Sequence, residues 1–196
     1  TVGRPRRCAL SGHPVDRDAH LRTMLISLTG YMCSGKSRVG RALAQRLEVP
    51  FHDLDRLLEE RIGGPITPFF LREGEAAFRA LEAEVLLRTV AHAKGILATG
   101  GGTLVDPILM SRARVAGPVV LLEVPFEVLV QRILKAGRDR PLYFGADEAT
   151  VRSRTEALLQ ERMAGYDRAT HRVDGDGDPD EVVDRILSAL GPLQEM

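Results

Sequence analysis

The stretch GYMCSGKSRVG, residues 30–40, decides the fold of this chain. Gly30, four further residues and then Gly35-Lys36-Ser37 have the spacing of the G-x-x-x-x-G-K-[ST] phosphate loop. The apolar run at residues 24–28 predicts a buried strand before the loop, and an amphipathic helix is predicted after it. A glycine-containing turn can match the bare pattern by chance. The strand before it and the helix after it favour a phosphate loop over that alternative.

Lys36 is one of three lysines in a chain that contains 24 arginines, so its place between two small residues needs a reason. The glycines allow backbone N–H groups to turn toward phosphate oxygens, and a compact ammonium fits among those oxygens better than a planar guanidinium. We therefore predict that Lys36 is catalytic and that the Ser37 hydroxyl is a ligand of Mg²⁺. Cys33 is interpreted as a small filler rather than a nucleophile. The predicted nucleotide-binding residues of this loop are Cys33, Ser34, Gly35, Lys36, Ser37 and Arg38.

The bulk composition limits the classes of protein that this chain can represent. Its 196 residues suit one domain, and 44% hydrophobic with 28% charged residues is ordinary for a globular protein. Acidic and basic residues balance at 27 each, which argues against a general nucleic-acid binder. No apolar run approaches the ~18 residues of a membrane helix. The two cysteines do not suggest a disulfide framework, so we expect a cytoplasmic protein.

The sequence predicts two segments of different character. Residues 1–23 show no helical or strand period and contain five arginines, two prolines and two glycines. They are predicted to be a disordered flank or the remnant of a leader or cloning segment, with Met24 as a plausible native start. Residues 24–196 are predicted to form a single domain.

From residue 24 onward, short apolar runs alternate with helical periods, which is typical of a parallel sheet covered by helices on both faces. Predicted strands cover residues 24–28, 51–53, 96–99, 118–124 and 171–174. Predicted helices cover residues 37–47, 55–62, 75–93, 107–113, 125–135, 150–163 and 179–190. Ligands of such sheets bind at the carboxyl ends of the strands. The phosphate loop, Asp53, Asp55 and the glycines 100–102 are therefore expected along one edge.

Three polar features near this edge are candidates for binding the phosphate acceptor. Asp53 and Asp55 in FHDLD could support Mg²⁺ through its waters and accept a hydroxyl proton, although Asp55 alone would also suit a helix N-cap. Arg79 lies among apolar neighbours in GEAAFRALE, and its alternative is a surface pair with Glu75 or Glu82. The glycines of TGGG allow a ligand to approach the backbone, or form a plain turn.

Taken together and in order, these motifs resemble the shikimate kinase family. The resemblance rests on GYMCSGKS, FHDLD, ITPFFLREGEAAFRALE, ATGGG, the RPL of residues 140–142 and the ERMAGY of residues 161–166, and it covers residues 24 to about 190. It implies a three-layer αβα fold of the P-loop NTPase type, with a five-stranded parallel sheet in the order 2-3-1-4-5 and a mobile lid. It also implies transfer of the γ-phosphoryl group of ATP to the 3-hydroxyl of shikimate, with Mg²⁺.

The resemblance also implies roles for individual residues. Asp55 is expected to contact the acceptor hydroxyls as base or orienting group, and Asp53 to support Mg²⁺. Arg79 and Arg162 would bind the shikimate carboxylate, and the Gly101 backbone would bind a ring hydroxyl. Arg140, within the glycine-containing and basic segment 135–147 that we interpret as the lid, is expected to contact the phosphates as a catalytic residue.

The sequence leaves some alternatives open. Kinases of a close ring analogue such as aminoshikimate, or of gluconate, use similar parts, and a non-catalytic nucleotide-binding protein could share the fold. Such a binder would be expected to lack Asp55 or an acceptor arginine, and both are present. The expected partners are therefore ATP and shikimate, without nucleic acid or membrane, and the expected state is a monomer.

Overall fold

The computed structural model describes residues 17–136, 143 and 145–191. Within them, five parallel strands form one sheet in the order β2-β3-β1-β4-β5, which confirms the order expected from the family resemblance. The strands are β1 Leu25–Thr29, β2 Phe51–Asp53, β3 Gly95–Ala98, β4 Val119–Glu123 and β5 His171–Asp174. The first strand occupies the centre of the sheet, so the phosphate loop that follows it begins at the middle of the edge formed by the carboxyl ends.

Helices cover both faces of the sheet. They are α1 Arg17–Leu21, α2 Lys36–Leu47, α3 Leu54–Ile62, α4 Ile66–His92, α5 Pro107–Ala116, α6 Phe126–Ala136, α7 Glu148–Tyr166 and α8 Pro179–Ala189, with a 3₁₀ turn at Thr103–Val105. Helices α2 and α8 pack on one face of the sheet, and α3, α4 and α5 pack on the other. None of the helices in the described part of the chain is both long and apolar enough to cross a bilayer.

The central strand is buried on both faces, which explains why its sequence, LISLT, is mostly apolar and places only the small hydroxyl side chains Ser27 and Thr29 between its apolar residues. Ile26 and Leu28 point into the core cluster under α2 and α8, whereas Leu25 points into the cluster under α4 and α5. Burying such a side chain contributes about 1.5–3 kcal/mol, and truncating Leu28 to alanine would cost about 2–5 kcal/mol. This packing fixes the strand that carries the phosphate loop.

Two predicted boundaries are wrong. Residues 17–21, predicted to belong to a disordered flank, form α1, and Leu21 is buried in the core with α2 and α8. Residues 1–16 lie outside the described residues. The helix predicted over residues 75–93 is the second part of α4, which begins at Ile66 and is interrupted at Gly74, where φ is 83°. Only glycine enters that left-handed region at little cost, so Gly74 allows the change of direction.

A third core cluster lies beyond the sheet and joins the phosphate loop to α6 and α7. It contains Tyr31, Met32, Leu129, Val130, Ile133, Tyr143 and Val151. Tyr143 belongs to the segment interpreted as a lid without apolar period, but its side chain is buried in this cluster. Residues 137–142 and 144, which include Arg140, lie outside the described residues, so the expected role of Arg140 remains a prediction.

Candidate active site

The phosphate loop joins the carboxyl end of β1 to the amino end of α2 through glycines that other residues could not replace. At Gly30, φ is 139°, and a Cβ atom would lie 2.7 Å from the Leu122 carbonyl oxygen. At Gly35, φ is 96°, and this residue is the N-cap of α2. The loop can therefore turn its backbone toward the N-terminus of the helix, which favours negative charge.

The Lys36 ammonium lies across this loop. Its Nζ donates to the carbonyl oxygens of Gly30 at 2.8 Å and Tyr31 at 2.7 Å, and it lies 3.4 Å from the Ser34 hydroxyl oxygen. The side chain is buried, and Ser37 follows it in the first turn of α2 while Arg38 is exposed. The ammonium is thus held within the loop, at the amino end of α2.

The glycines 100–102 follow β3 and pack directly against the phosphate loop. A Cβ atom at Gly101 would lie 2.9 Å from the backbone nitrogen of Met32. No side chain fits in this contact, so the backbone of the triple glycine and the backbone of the loop form a common wall. The two functional regions that the sequence predicts are therefore immediate neighbours.

On the other side of the glycines lies a cavity of about 620 Å³, a size suited to a small-molecule ligand. It lies between α3, α4, α7 and the turn after β3. Its charged lining groups include Asp55, Glu59, Glu75, Arg79, Glu82 and Arg162, and its apolar lining groups include Met32, Ile66, Phe70, Phe78 and Leu158. We call this space the acceptor cavity.

The two arginines predicted to bind a carboxylate converge beside Gly102. An ideal Cβ atom at Gly102 would lie 3.4 Å from an Nη atom of Arg79 and 3.5 Å from an Nη atom of Arg162. The two side chains come from α4 and α7, which are far apart in the sequence. Two guanidinium forks that approach one point can bind an anionic group on a small ligand.

Arg79 is held in place by carboxylates of its own helix. It donates to Glu82 at 2.7 Å and to Glu75 at 3.4 Å, and Glu82 also accepts from the Thr103 hydroxyl at 2.6 Å. Burial opposes the charge on Arg79, but the adjacent Glu82 and then Glu75 outweigh it and raise the pKa of Arg79. From the sequence, Glu82 is interpreted only as an alternative partner of Arg79 on the surface. It is buried and holds Arg79 at the cavity, a position that the F-R-x-x-E spacing could have indicated.

Arg162 is buried and held by a different set of groups. Its guanidinium lies over the Tyr31 ring, 5.5 Å from the ring centre, and donates to the Gly101 carbonyl at 3.3 Å. The same carbonyl accepts from the Tyr166 hydroxyl at 2.6 Å. Because two donors already occupy this oxygen, the N–H of Gly101, rather than its carbonyl, is the group suited to meet a ligand.

The two aspartates of FHDLD lie where β2 ends and α3 begins. Asp53 ends β2 and is the N-cap of α3, where its carboxylate accepts from the N–H of Asp55 at 3.2 Å. The alternative N-cap interpretation of Asp55 is therefore wrong, because Asp55 lies in the first turn of the helix. Its carboxylate lines the acceptor cavity and faces the triple glycine, 3.8 Å from a Cβ atom placed at Gly100.

The donor set for a metal ion is partial. Among the described residues, no group of three or more histidine, cysteine, aspartate or glutamate side chains could hold a metal ion by itself. Ser37 lies in the first turn of α2, after β1 and the phosphate loop, and Asp53 ends β2, which is separated from β1 by β3. Such a hydroxyl and carboxylate suit Mg²⁺ that keeps several waters and is shared with phosphates.

The profile of the shikimate kinase family matches residues 32–191. A shikimate kinase of Salinibacter ruber is 41% identical over 173 residues, which cover 85% of this chain and 84% of the relative. A shikimate kinase of Aquifex aeolicus is 36% identical and covers 85% of this chain and 96% of its own length.

Solved structures agree with these relatives. The shikimate kinase of Bacteroides thetaiotaomicron superposes with a TM-score of 0.80 at 32% identity, covering 85% of this chain and 98% of its own. The shikimate kinase of Acinetobacter baumannii, solved in complex with shikimate, gives a TM-score of 0.79 at 30% identity, covering 87% and 95%. A gluconokinase of Sinorhizobium meliloti gives a TM-score of 0.55 at 21% identity, covering 88% of this chain and 94% of its own. At this low identity the likeness shows a shared fold only.

Proposed function

The chain belongs to the shikimate kinase family, and from this premise we propose that it transfers the γ-phosphoryl group of ATP to the 3-hydroxyl of shikimate. One observation carries the proposal. The Gly101 backbone packs on Met32 of the phosphate loop while also lining the acceptor cavity. A hydroxyl at that wall has a short path to the terminal phosphorus of a nucleotide bound by the loop. This proximity is what phosphoryl transfer requires.

In this proposal the acceptor is held by its carboxylate and by its hydroxyls at opposite ends. Arg79 and Arg162 bind the carboxylate, because their guanidinium groups converge on one point. Each charge-assisted hydrogen bond adds roughly 1.5–3 kcal/mol. The Gly101 N–H and Asp55 bind ring hydroxyls near the phosphate loop. The apolar wall that includes Phe70 and Phe78 packs against the ring carbons.

The nucleotide is held by the loop that the sequence identified. We assign phosphate contacts to Cys33, Ser34, Gly35, Lys36, Ser37 and Arg38, with Lys36 neutralising the charge on the transferred group. Ser37 would hold Mg²⁺ directly and Asp53 would hold it through water, because Mg²⁺ usually keeps several waters and takes few ligands from the protein. When bound, the ion would neutralise phosphate charge and orient the phosphates.

The step itself exchanges one phosphorus–oxygen bond for another. The bond between the γ-phosphorus and the β–γ bridging oxygen breaks, and the 3-oxygen of shikimate takes its place. The hydroxyl proton leaves, and the Asp55 carboxylate is the group at the cavity wall that could receive it or orient the hydroxyl. We propose that Arg140 contacts the phosphates, that the enzyme acts as a monomer, and that it works in the cytoplasm.

The decisive experiment measures ADP formation by the full chain with a panel of acceptors. Shikimate, aminoshikimate, gluconate and no acceptor would each be supplied at saturating ATP and Mg²⁺. We expect shikimate to give the highest kcat/KM, and phosphorus NMR of the product to locate the phosphate on the 3-oxygen. Preference for gluconate, or no response to shikimate by a chain that binds ATP, would reject the proposed function.

A further inference from the structure

A chain of buried hydroxyl groups connects the phosphate loop to α7. The Tyr31 and Tyr143 hydroxyl oxygens lie 2.7 Å apart, and the Tyr143 and Thr155 hydroxyl oxygens lie 2.9 Å apart. All three side chains are nearly inaccessible, with 2%, 1% and 0% of their surface exposed. Burial and then the bond to Tyr143 raise the pKa of Tyr31, so its hydroxyl keeps its proton at ordinary pH. We call Tyr31, Tyr143 and Thr155 the hydroxyl chain.

Tyr31 contacts both functional regions of the proposed enzyme. Its carbonyl oxygen accepts from the Lys36 ammonium at 2.7 Å, which ties its backbone to the phosphate side. Its ring lies under the Arg162 guanidinium, 5.5 Å from ring centre to guanidinium carbon, which ties its side chain to the acceptor side. The orientation of this one ring therefore affects where Arg162 stands relative to the loop.

The hydroxyl chain fixes that ring from its far end. Thr155 and Arg162 lie on the same helix, about two turns apart, and so on the same face of α7. The Tyr31 side chain thus meets α7 at two places. Its ring lies under the Arg162 guanidinium, and its hydroxyl is linked to Thr155 both through Tyr143 and by its own interaction with the Thr155 hydroxyl. A buried polar network in which each hydroxyl has a partner favours one arrangement over others of similar packing.

We propose that Tyr31, Tyr143 and Thr155 are positioning residues for the acceptor: they hold the ring on which Arg162 rests and so set its guanidinium for the substrate carboxylate. The proposal rests on the proposed function, since it assumes that Arg162 binds that carboxylate. The carboxylate lies away from the reacting hydroxyl, so its contact with Arg162 is equally strong in the ground state and the transition state. Weakening such a contact raises KM and leaves kcat nearly unchanged.

The test compares hydroxyl deletions in the full chain by steady-state kinetics. The variants are Tyr31→Phe, Tyr143→Phe, the double variant, and Thr155→Val, which keeps the shape of the side chain. Thr89→Val, which removes a hydroxyl bonded only within α4, is the control. KM for shikimate, KM for ATP and kcat are measured for each, and thermal melting shows whether each variant is folded.

We expect Tyr31→Phe and Tyr143→Phe each to raise the KM for shikimate about three- to tenfold, with kcat and the KM for ATP within about twofold of wild type. The double variant should raise the KM for shikimate by less than the product of the two single effects, because both changes act through the orientation of the same ring. Tyr31→Leu, which also removes the aromatic ring under Arg162, should raise the KM for shikimate more than Tyr31→Phe does. Thr89→Val should match wild type.

Other results overturn the positioning role. It is contradicted if the folded variants keep the wild-type KM for shikimate, or if the KM values for shikimate and ATP change equally. It is also contradicted if only kcat falls, or if the effects of the two tyrosine changes are additive in the double variant. If the tyrosine variants do not fold, Thr155→Val decides by the same criteria. Wild-type chain without shikimate-dependent ADP formation would reject the proposed function as well, whereas an active wild type with unaffected variants would reject the positioning role alone.

Discussion

The phosphate loop and the acceptor cavity share a wall but are assembled differently. The loop is a continuous segment, and its lysine ammonium donates hydrogen bonds to Gly30, Tyr31 and Ser34 of that same segment. The acceptor cavity takes its charged side chains from α3, α4 and α7, and each arginine is held by partners of its own. The loop therefore depends on local backbone geometry, whereas the cavity depends on how distant elements pack. Changes in the two regions should have different kinetic signatures.

The largest effect is expected in the loop, from Lys36→Ala. Removing the ammonium takes away positive charge from the transferred phosphoryl group in the transition state, so kcat should fall about 10³-fold. Steady-state ADP formation measures this fall. Lys94→Ala, which removes an exposed lysine distant from the loop, is the matched control and should keep full activity. A Lys36→Ala enzyme within tenfold of wild type would show that the loop is not the phosphate site.

Asp55→Asn tests the boundary between the two regions. The amide keeps the shape of the carboxylate but cannot receive a proton and orients a hydroxyl less strongly, so kcat should fall about 10²-fold. ATP affinity, measured by calorimetry, should stay within about twofold, because Asp55 lines the acceptor cavity. Asp184→Asn, at an exposed carboxylate paired with Arg46, is the control. Full turnover in Asp55→Asn would remove Asp55 from the mechanism.

The free energy of unfolding should depend on pH through Tyr166, whose hydroxyl donates to the Gly101 carbonyl beside the acceptor cavity. Burial raises the pKa of Tyr166 to about 12, compared with about 10 in an unfolded chain. The folded state therefore holds this proton more tightly. The resulting stability, of the order of 2–3 kcal/mol, is fully present below about pH 10 and is lost as the pH rises toward about 12.

This titration is directly observable because the chain contains three tyrosines and no tryptophan. Tyrosinate absorbance and urea unfolding would be followed together from pH 9 upward. Tyr166→Phe should reduce the pH dependence without abolishing it, since burial raises the pKa of Tyr31 as well. Ordinary tyrosine titration near pH 10 in the folded protein would contradict the buried hydroxyl at Gly101.

Glu82→Gln tests whether the cavity arginines need their own partners. The amide can still accept from Thr103 but no longer neutralises Arg79, so the KM for shikimate should rise about tenfold. The loss of stability should be about 1–2 kcal/mol, because the Arg79 side chain is 40% exposed and water screens part of the lost attraction. Glu84→Gln, at an exposed partner of Arg61, is the control for the unfolding and kinetic measurements. Equal effects of the two changes would contradict the assigned role of Glu82.

The difference between the regions also explains what could be predicted from the sequence. The loop and the buried strands are local patterns, and the structure confirms the strand-loop-helix context that they predict. The strand order, which the structure also confirms, came from the family resemblance and not from a local pattern. The bond between Tyr31 and Tyr143 spans 112 positions, and no local period reports such a contact. Asp53 and Asp55 are equally suited to an N-cap by residue type, so only the backbone angles of Asp53 distinguish them.

Leu21 shows a further reason why part of the fold could not be predicted from the sequence. It is a single apolar residue next to arginine-rich sequence, so no hydrophobic period marks it, yet it is buried with α2 and α8. Arg79 and Glu82 were both visible as a helical pair, but the pattern of charges cannot tell a surface pair from a buried one. Burial is set by the approach of Thr103 and the triple glycine, which come from another part of the chain.

The smallest expected effect lies in the loop, at Cys33, where φ is 59°. A non-glycine residue in this left-handed region costs about 1–2 kcal/mol, and glycine would recover this while adding about 0.4–1 kcal/mol of unfolded-chain entropy. Cys33→Gly should therefore stabilise the protein by about 0–1.6 kcal/mol in urea unfolding, with the KM for ATP within twofold of wild type. Glu48→Gly, at the end of α2 where φ is 55°, is the matched control outside the loop. If Cys33→Gly alone raised the KM for ATP, the Cys33 side chain would be needed to hold the loop in the conformation that contacts the phosphates.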